Sequence, residues 1–260
     1  MKRVTARCFL ILMTFMLGIS LKGRAQVMEI GLNGGASFYM GDINPNKIFD
    51  ETQMCWGVLA RYYESSRWAF RLSYNNVNIE GSDEKVKYRK ERGLDFKTNI
   101  HDFSLVAEFN FFDYRTGSRR NFISPYILGG VGFIIFTPKA MDGTKLSELH
   151  TEGESYSTSA VTIPFGVGMK YSVSRKICLA LEWRMNKTFT DYLDDVHGLY
   201  PEEHAIVNGH DYTDPTGHYP AGVQRGNKDT TDWFSYLGVS FTYKIELPTK
   251  QSCNNIYIRE

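Results

Sequence analysis

Val161-Thr162-Ile163-Pro164-Phe165-Gly166-Val167-Gly168-Met169-Lys170-Tyr171 is followed, after Ser174-Arg175-Lys176, by Ile177-Cys178-Leu179-Ala180-Leu181-Glu182-Trp183-Arg184-Met185. In each run every second residue is apolar. Val161, Ile163, Phe165, Val167, Met169 and Tyr171 share one face, and Ile177, Leu179, Leu181, Trp183 and Met185 share the next. A period of two marks a strand with one apolar face. Two such runs joined by three polar residues predict a hairpin.

The same unit recurs in both directions along the chain. Alternation predicts strands over 28–39, 54–63, 68–77, 98–112, 124–136, 161–173, 177–187 and 232–246. The connections at 64–67, 113–121 and 174–176 are short, whereas those at 78–97, 137–160 and 188–231 are long. Short turns at one end and long loops at the other are the plan of an outer-membrane barrel. Each strand is near the ~9–11 residues that a tilted crossing needs. The expected fold is therefore all-β: an eight-stranded antiparallel transmembrane up-and-down barrel, with both ends on the short-turn side. The fifth strand is interrupted by Gly129, Gly130 and Gly132, which leaves its facing open.

Composition agrees. Hydrophobic residues make up 42% and aromatic residues 14% of the 260 residues, with a mean hydropathy of −0.33. That is too polar for a helical membrane protein, and no segment after the first residues approaches the ~18 consecutive apolar residues of a membrane helix. A formal net charge of +1 points to no nucleic acid and no acidic substrate. Lys2, Arg3 and Arg7 precede an apolar run from Cys8 to Ile19, and Gly23-Arg24-Ala25 resembles a peptidase site. Residues 1–25 are therefore expected to be a cleaved secretory signal, 26–246 the barrel, and 247–260 a periplasmic tail. Cleavage leaves Cys55, Cys178 and Cys253; the first two are expected at opposite ends of the barrel, out of bridging range.

By parity, Glu29, Arg61, Arg71, Asp102, Glu108, Lys170, Glu182 and Arg184 point inward. Charges inside a narrow barrel are tolerable when paired. Four acids face four bases, which predicts a packed polar plug rather than an open pore. His197, His204, His210 and His218 lie in the longest loop, six to eight residues apart. Zinc sites use close-set ligand pairs, so a solvated loop is expected there, with no metal and no cofactor. His101 and Ser104 fall on opposite faces of one strand, and no nucleophile elbow is present, so no catalytic residue is assigned.

Two loop-flanking segments carry a family resemblance. The first runs from Gly34 to Asn44 and contains Tyr39-Met40-Gly41-Asp42. The second is Thr190-Asp191-Tyr192-Leu193-Asp194-Asp195-Val196, followed by Gly198 and Tyr200. With the eight-strand plan, they resemble the PorG family, small outer-membrane barrels of Bacteroidetes in the type IX secretion system. Gly238-Val239-Ser240-Phe241-Thr242-Tyr243 similarly resembles the C-terminal strand signal read by barrel-insertion machinery. The PorG resemblance implies a non-enzymatic role in protein transport, supporting gliding motility in some species. It implies outer-membrane lipid as surroundings and a periplasmic ring of PorK- and PorN-like proteins as partner. The topology places the two motifs at the loop end, where Asp191 and Asp194 are expected to brace the loop against Tyr39 and Asp42. A ring would meet the other end, where the candidates are Arg67, Arg115, Arg119, Arg120, Arg175, Lys176, Lys250 and Cys253. The alternatives are a free-standing OmpA- or OmpX-like barrel whose loops bind surfaces or ligands, and a lipid-modifying barrel enzyme.

Overall fold

A computed structural model describes residues 27–44, 51–86 and 90–246. The predicted signal segment and the tail, with Lys250 and Cys253, lie outside the described residues. Eight strands close into one antiparallel barrel: β1 (Val27–Met40), β2 (Gln53–Tyr63), β3 (Trp68–Ser82), β4 (Asp95–Asn110), β5 (Ile123–Lys139), β6 (Ser159–Ser172), β7 (Ile177–Thr188) and β10 (Trp233–Glu246). A single helical turn, α1 (Asp83–Val86), follows β3, and a 3₁₀ turn (Leu146–Glu148) lies between β5 and β6. The minor strands β8 (Ile206–Val207) and β9 (His210–Asp211) form a small hairpin in the longest loop.

The register aligns the outward apolar residues into a continuous band. Leu32 sits opposite Val58, Leu72 opposite Leu105, Leu105 opposite Val131, and Leu181 opposite Val239. Leu32, Val131 and Leu181 are more than half exposed. A ring of exposed apolar side chains around a closed barrel is a lipid-facing surface. Trp68, Phe111, Phe112, Phe122, Tyr171 and Tyr243 lie toward the short-turn end of that surface, where aromatic rings favour the membrane–water interface.

The structure lengthens several strands at the loop end, most of all β3, and settles one facing. β3 was expected to stop at Val77 and β4 to begin at Thr98, yet pairing continues from Val77↔Ile100 to Ser82↔Asp95. The reason is an inversion of polarity. Below this level the outward residues are Trp68, Phe70, Leu72 and Tyr74, and the inward ones Arg71, Ser73 and Asn75. Above it Asn76, Asn78 and Glu80 point out, while Val77 and Ile79 are fully buried. Parity never breaks, but the apolar stripe changes faces where the strand leaves lipid for water. In β5, Tyr126, Leu128, Ile134 and Phe136 point inward, and Ile127, Val131, Phe133 and Ile135 outward. Gly130 shares the inward parity of Leu128, and a Cβ there would collide with the Leu105 carbonyl of β4, so glycine is needed.

β1 and β10 close the barrel as hydrogen-bonded neighbours. Gly31 and Gly35 of β1 lie so near β10 that a Cβ on either would overlap the Phe241 or Leu237 carbonyl. Glycine is required at this seam for backbone approach.

Candidate functional site

The lumen holds the predicted plug. All eight inward charges are buried, and they form one chain of contacts. At the short-turn end, Glu29 accepts from Arg61 (2.9 Å), Thr242 (3.0 Å), Tyr63 (3.3 Å) and Thr116. Arg61 also reaches Glu108 at 2.8 Å. Glu108 is shared by three cations, since Lys170 and Arg71 contact it at 2.5 and 3.1 Å. Its contacts with Arg61 and Arg71 are ionic rather than aligned hydrogen bonds. Arg71 then makes a two-pronged pair with Glu182, at 2.6 and 2.9 Å, the strong geometry for a guanidinium. Tyr126 and Tyr236 donate to the same Glu182 carboxylate. Arg184 binds Asp102 at 2.7 Å and Ser104 at 2.9 Å, and Asn75 links Asp102 to Asn33.

Above the plug the lumen turns apolar. Val77, Ile79, Phe96, Ile100, Ile134, Phe136 and Phe234 pack with loop residues Leu193, Val196 and Tyr212 in one buried cluster. The loop at 188–231 is therefore not the solvated loop expected from sequence. It is a cap folded onto the barrel mouth. Arg225 is its central pin: it is 2% exposed and bonds Glu152 (2.9 Å), the Asp195 carbonyl (2.5 Å) and the Thr213 carbonyl (3.4 Å). Arg92 bonds both oxygens of Asp83 and the Arg225 carbonyl. Sequence reasoning missed Asp83, Arg92, Glu152 and Arg225. The available signal was the loop's own content of Tyr192, Leu193, Val196, Tyr200 and Tyr212, which is rich in apolar surface for a solvated segment.

The two motif segments meet under this cap. The Tyr39 hydroxyl donates to Asp194, and lies 3.1 Å from Asp232. A Cβ at Gly41 would collide with both the Tyr39 hydroxyl and Asp232, so glycine is needed there. Asp42 accepts from the Asn227 amide at 2.6 Å. Tyr192 stacks on Tyr156 with centroids 4.1 Å apart, and Asp195 accepts from Thr151 and Tyr156. Asp191 departs from expectation. It pairs with His197 at 2.8 Å, and toward Asp42 it presents a like charge rather than a bracing partner. His204 pairs with Asp211 at 2.6 Å. No group of three or more metal-ligating residues is assembled among the described residues.

One phenolic proton cannot satisfy two carboxylates. The second contact to Tyr39 is filled when a carboxyl itself carries a proton. Electrostatics agree. Burial first, then the Asp232 and Asp42 charges, holds Asp194 well above the usual carboxylate range; burial, then Asp191 and Asp42, does the same for Asp232. Asp191 is pushed up to about 9 by burial and by Asp194, Asp42 and Glu152.

At the opposite end, Arg67 of the β2–β3 turn pairs with Asp113 of the β4–β5 turn at 3.1 Å. Arg115, Arg119 and Arg120 cluster in the β4–β5 turn, and Arg175 and Lys176 lie in the β6–β7 turn, all with exposed side chains. His101 faces outward and bonds Tyr74 at 2.9 Å, whereas Ser104 lies in the lumen against Ser73.

A family model described as a domain of unknown function, DUF6089, matches residues 6–253. The chain belongs to the DUF6089 family. No curated protein matches it in sequence. Among solved structures this DUF6089 barrel is similar to Ail, the attachment invasion locus protein of Yersinia pestis, at 12% identity over 85% of this chain and 100% of that one, with a TM-score of 0.44. It is also similar to OprG of Pseudomonas aeruginosa, at 13% identity over 87% and 98%, TM-score 0.45. Neisserial surface protein A is similar at 10% identity over 84% and 97%, TM-score 0.45.

Proposed function

We propose that this DUF6089 chain is a non-enzymatic outer-membrane component of a type IX protein secretion system, anchoring a periplasmic PorK- and PorN-like ring. The observation that carries the reading is a lumen closed at two levels, by the ion-pair plug and by the apolar cluster under the cap. A barrel sealed twice works through what holds its rims. The Tyr39–Asp194 contact supports the motif resemblance, because it joins the two segments on which that resemblance rests. On this reading the ring docks on the short-turn rim, through Arg67, Arg175 and Lys176 and through the tail with Lys250 and Cys253. Deleting the gene should abolish export of cargo bearing a C-terminal sorting domain, and detergent pull-downs should recover the ring proteins. Intact export together with a pull-down free of ring proteins sinks the proposal.

A second reading, a free-standing barrel that binds surfaces through its loops, is favoured by one observation. The cap is a packed unit that exposes Leu199 and Ile206 on its outside. Replacing residues 199–224 by a short linker, with export unchanged and surface adhesion lost, would select it.

A further inference from the structure

Between β4 and β5 the chain leaves the lipid-facing surface and returns to it. Phe111 and Phe112 precede the turn, Phe122 and Ile123 follow it, and all four are exposed. The turn borders an open, shallow cleft of about 320 Å³ lined by Arg115, Arg119, Arg120, Ser66, Ser118, Asn121 and Asp113, a size at the lower end for small-molecule sites. Asp113 is the acid of that lining, and it is already engaged by Arg67 at 3.1 Å and Ser66 at 3.0 Å. Among the described residues none of the three arginines has a carboxylate at ion-pair distance. Their side chains are not holding the turn together either. Backbone amides and two serine hydroxyls do that: Arg115 N–H bonds the Asn121 carbonyl at 3.0 Å, Asn121 N–H bonds Ser118 Oγ at 3.0 Å, and Gly117 N–H bonds Ser172 Oγ at 2.7 Å. Gly117 sits at φ +91, with the Arg175 carbonyl where a Cβ would be.

We propose that this cleft is a binding site for the phosphate-bearing headgroup of an anionic phospholipid in the short-turn-side leaflet. Three free guanidinium groups in a preformed turn supply the paired donors that phosphate oxygens accept. Ser118 adds a hydroxyl. The level is right as well, because headgroups lie just beyond the hydrocarbon boundary, and Phe112 and Phe122 mark that boundary on each side of the cleft. A lipid held here has its acyl chains against those rings. This assignment is independent of the secretion reading, and leaves Arg67, Arg175 and Lys176 for a protein partner.

The test uses the mature full-length protein in detergent, with dioleoylphosphatidylglycerol or dioleoylphosphatidylcholine added and retained lipid counted by native mass spectrometry. The wild type should retain phosphatidylglycerol at least about tenfold more than phosphatidylcholine. R115Q/R119Q/R120Q should lose that preference, R175Q/K176Q should keep it, and heat-modified gel mobility confirms that both variants are folded barrels. Equal retention by the triple variant and the wild type overturns the proposal. So does loss of the preference in millimolar inorganic phosphate, which assigns the cleft to the free ion. Displacement of phosphatidylglycerol by decaglutamate, with tighter binding of the peptide, overturns it in favour of an acidic protein segment.

Discussion

Tyr39, near the loop end of the first strand, donates its hydroxyl to Asp194, 155 residues further along the chain. The bond spans the barrel mouth and pins the longest loop to the wall. Replacing Tyr39 by Phe removes the donor while keeping the ring against Phe96. The expected cost is about 1–3 kcal/mol of cap stability, the usual penalty for an unmet buried group. Hydrogen exchange of amides 191–197 should accelerate, while exchange in β4 and β7 should not change. Unchanged exchange in the loop would refute the latch.

The same cluster makes the cap sensitive to pH. Asp191, Asp194 and Asp232 hold protons in the folded cap that the open loop releases. The folded form therefore binds more protons, and its stability falls as pH rises. The stabilisation is complete below the ordinary carboxylate range and is lost on the way up to about 9 for Asp191. Exchange in the cap, corrected for intrinsic rate, should rise between pH 5 and pH 9 as taken from those ordinary and shifted values. The Asp194→Asn variant should show a flatter profile.

Arg71→Met should be far more damaging than a surface change. It strands Glu182, which also holds Tyr126 and Tyr236, and breaking a buried pair on one side costs about 3–5 kcal/mol. Glu108 keeps Arg61 and Lys170. Adding Glu182→Gln to Arg71→Met should recover more than half of the loss. The urea midpoint of the barrel in detergent, followed by gel mobility, measures both.

Gly35→Val should block closure of the seam, because its side chain would occupy the place of the Leu237 carbonyl. Folded yield in vesicles should drop severely, whereas Gly129→Ala, at an extended position of β5 with nothing near its Cβ, should fold with at most a small loss.

Cysteine labelling checks the orientation. Ser118→Cys lies in a short turn and Glu203→Cys in the exposed part of the cap. In intact cells an impermeant maleimide should reach Glu203→Cys alone, and the reverse pattern would invert the topology.

The barrel was legible in the sequence because lipid and lumen impose opposite polarity on alternate residues. Parity alone placed Glu29, Arg61, Arg71, Asp102, Glu108, Lys170, Glu182 and Arg184 inside, and all are there. It read short where polarity changed sides, at Val77 in β3 and Thr98 in β4, since the stripe being followed ended although the strand did not. The cap was illegible for a different reason. Its pins, Arg225 to Glu152 and Arg92 to Asp83 with the Arg225 carbonyl, join segments with no common period. The strand topology placed Asp194 near Tyr39 at the loop end, and in the structure the two are hydrogen-bonded. Asp191 bonds His197 instead, which spacing on the loop did not reveal.

The ion-pair plug draws on every wall of the barrel. Glu29 comes from β1, Arg61 from β2, Arg71 from β3, Glu108 from β4, Tyr126 from β5, Lys170 from β6, Glu182 from β7 and Thr242 from β10. A partly built sheet would present unmatched charge on a surface that has nowhere dry to put it. The plug is therefore complete only when all eight strands are in place.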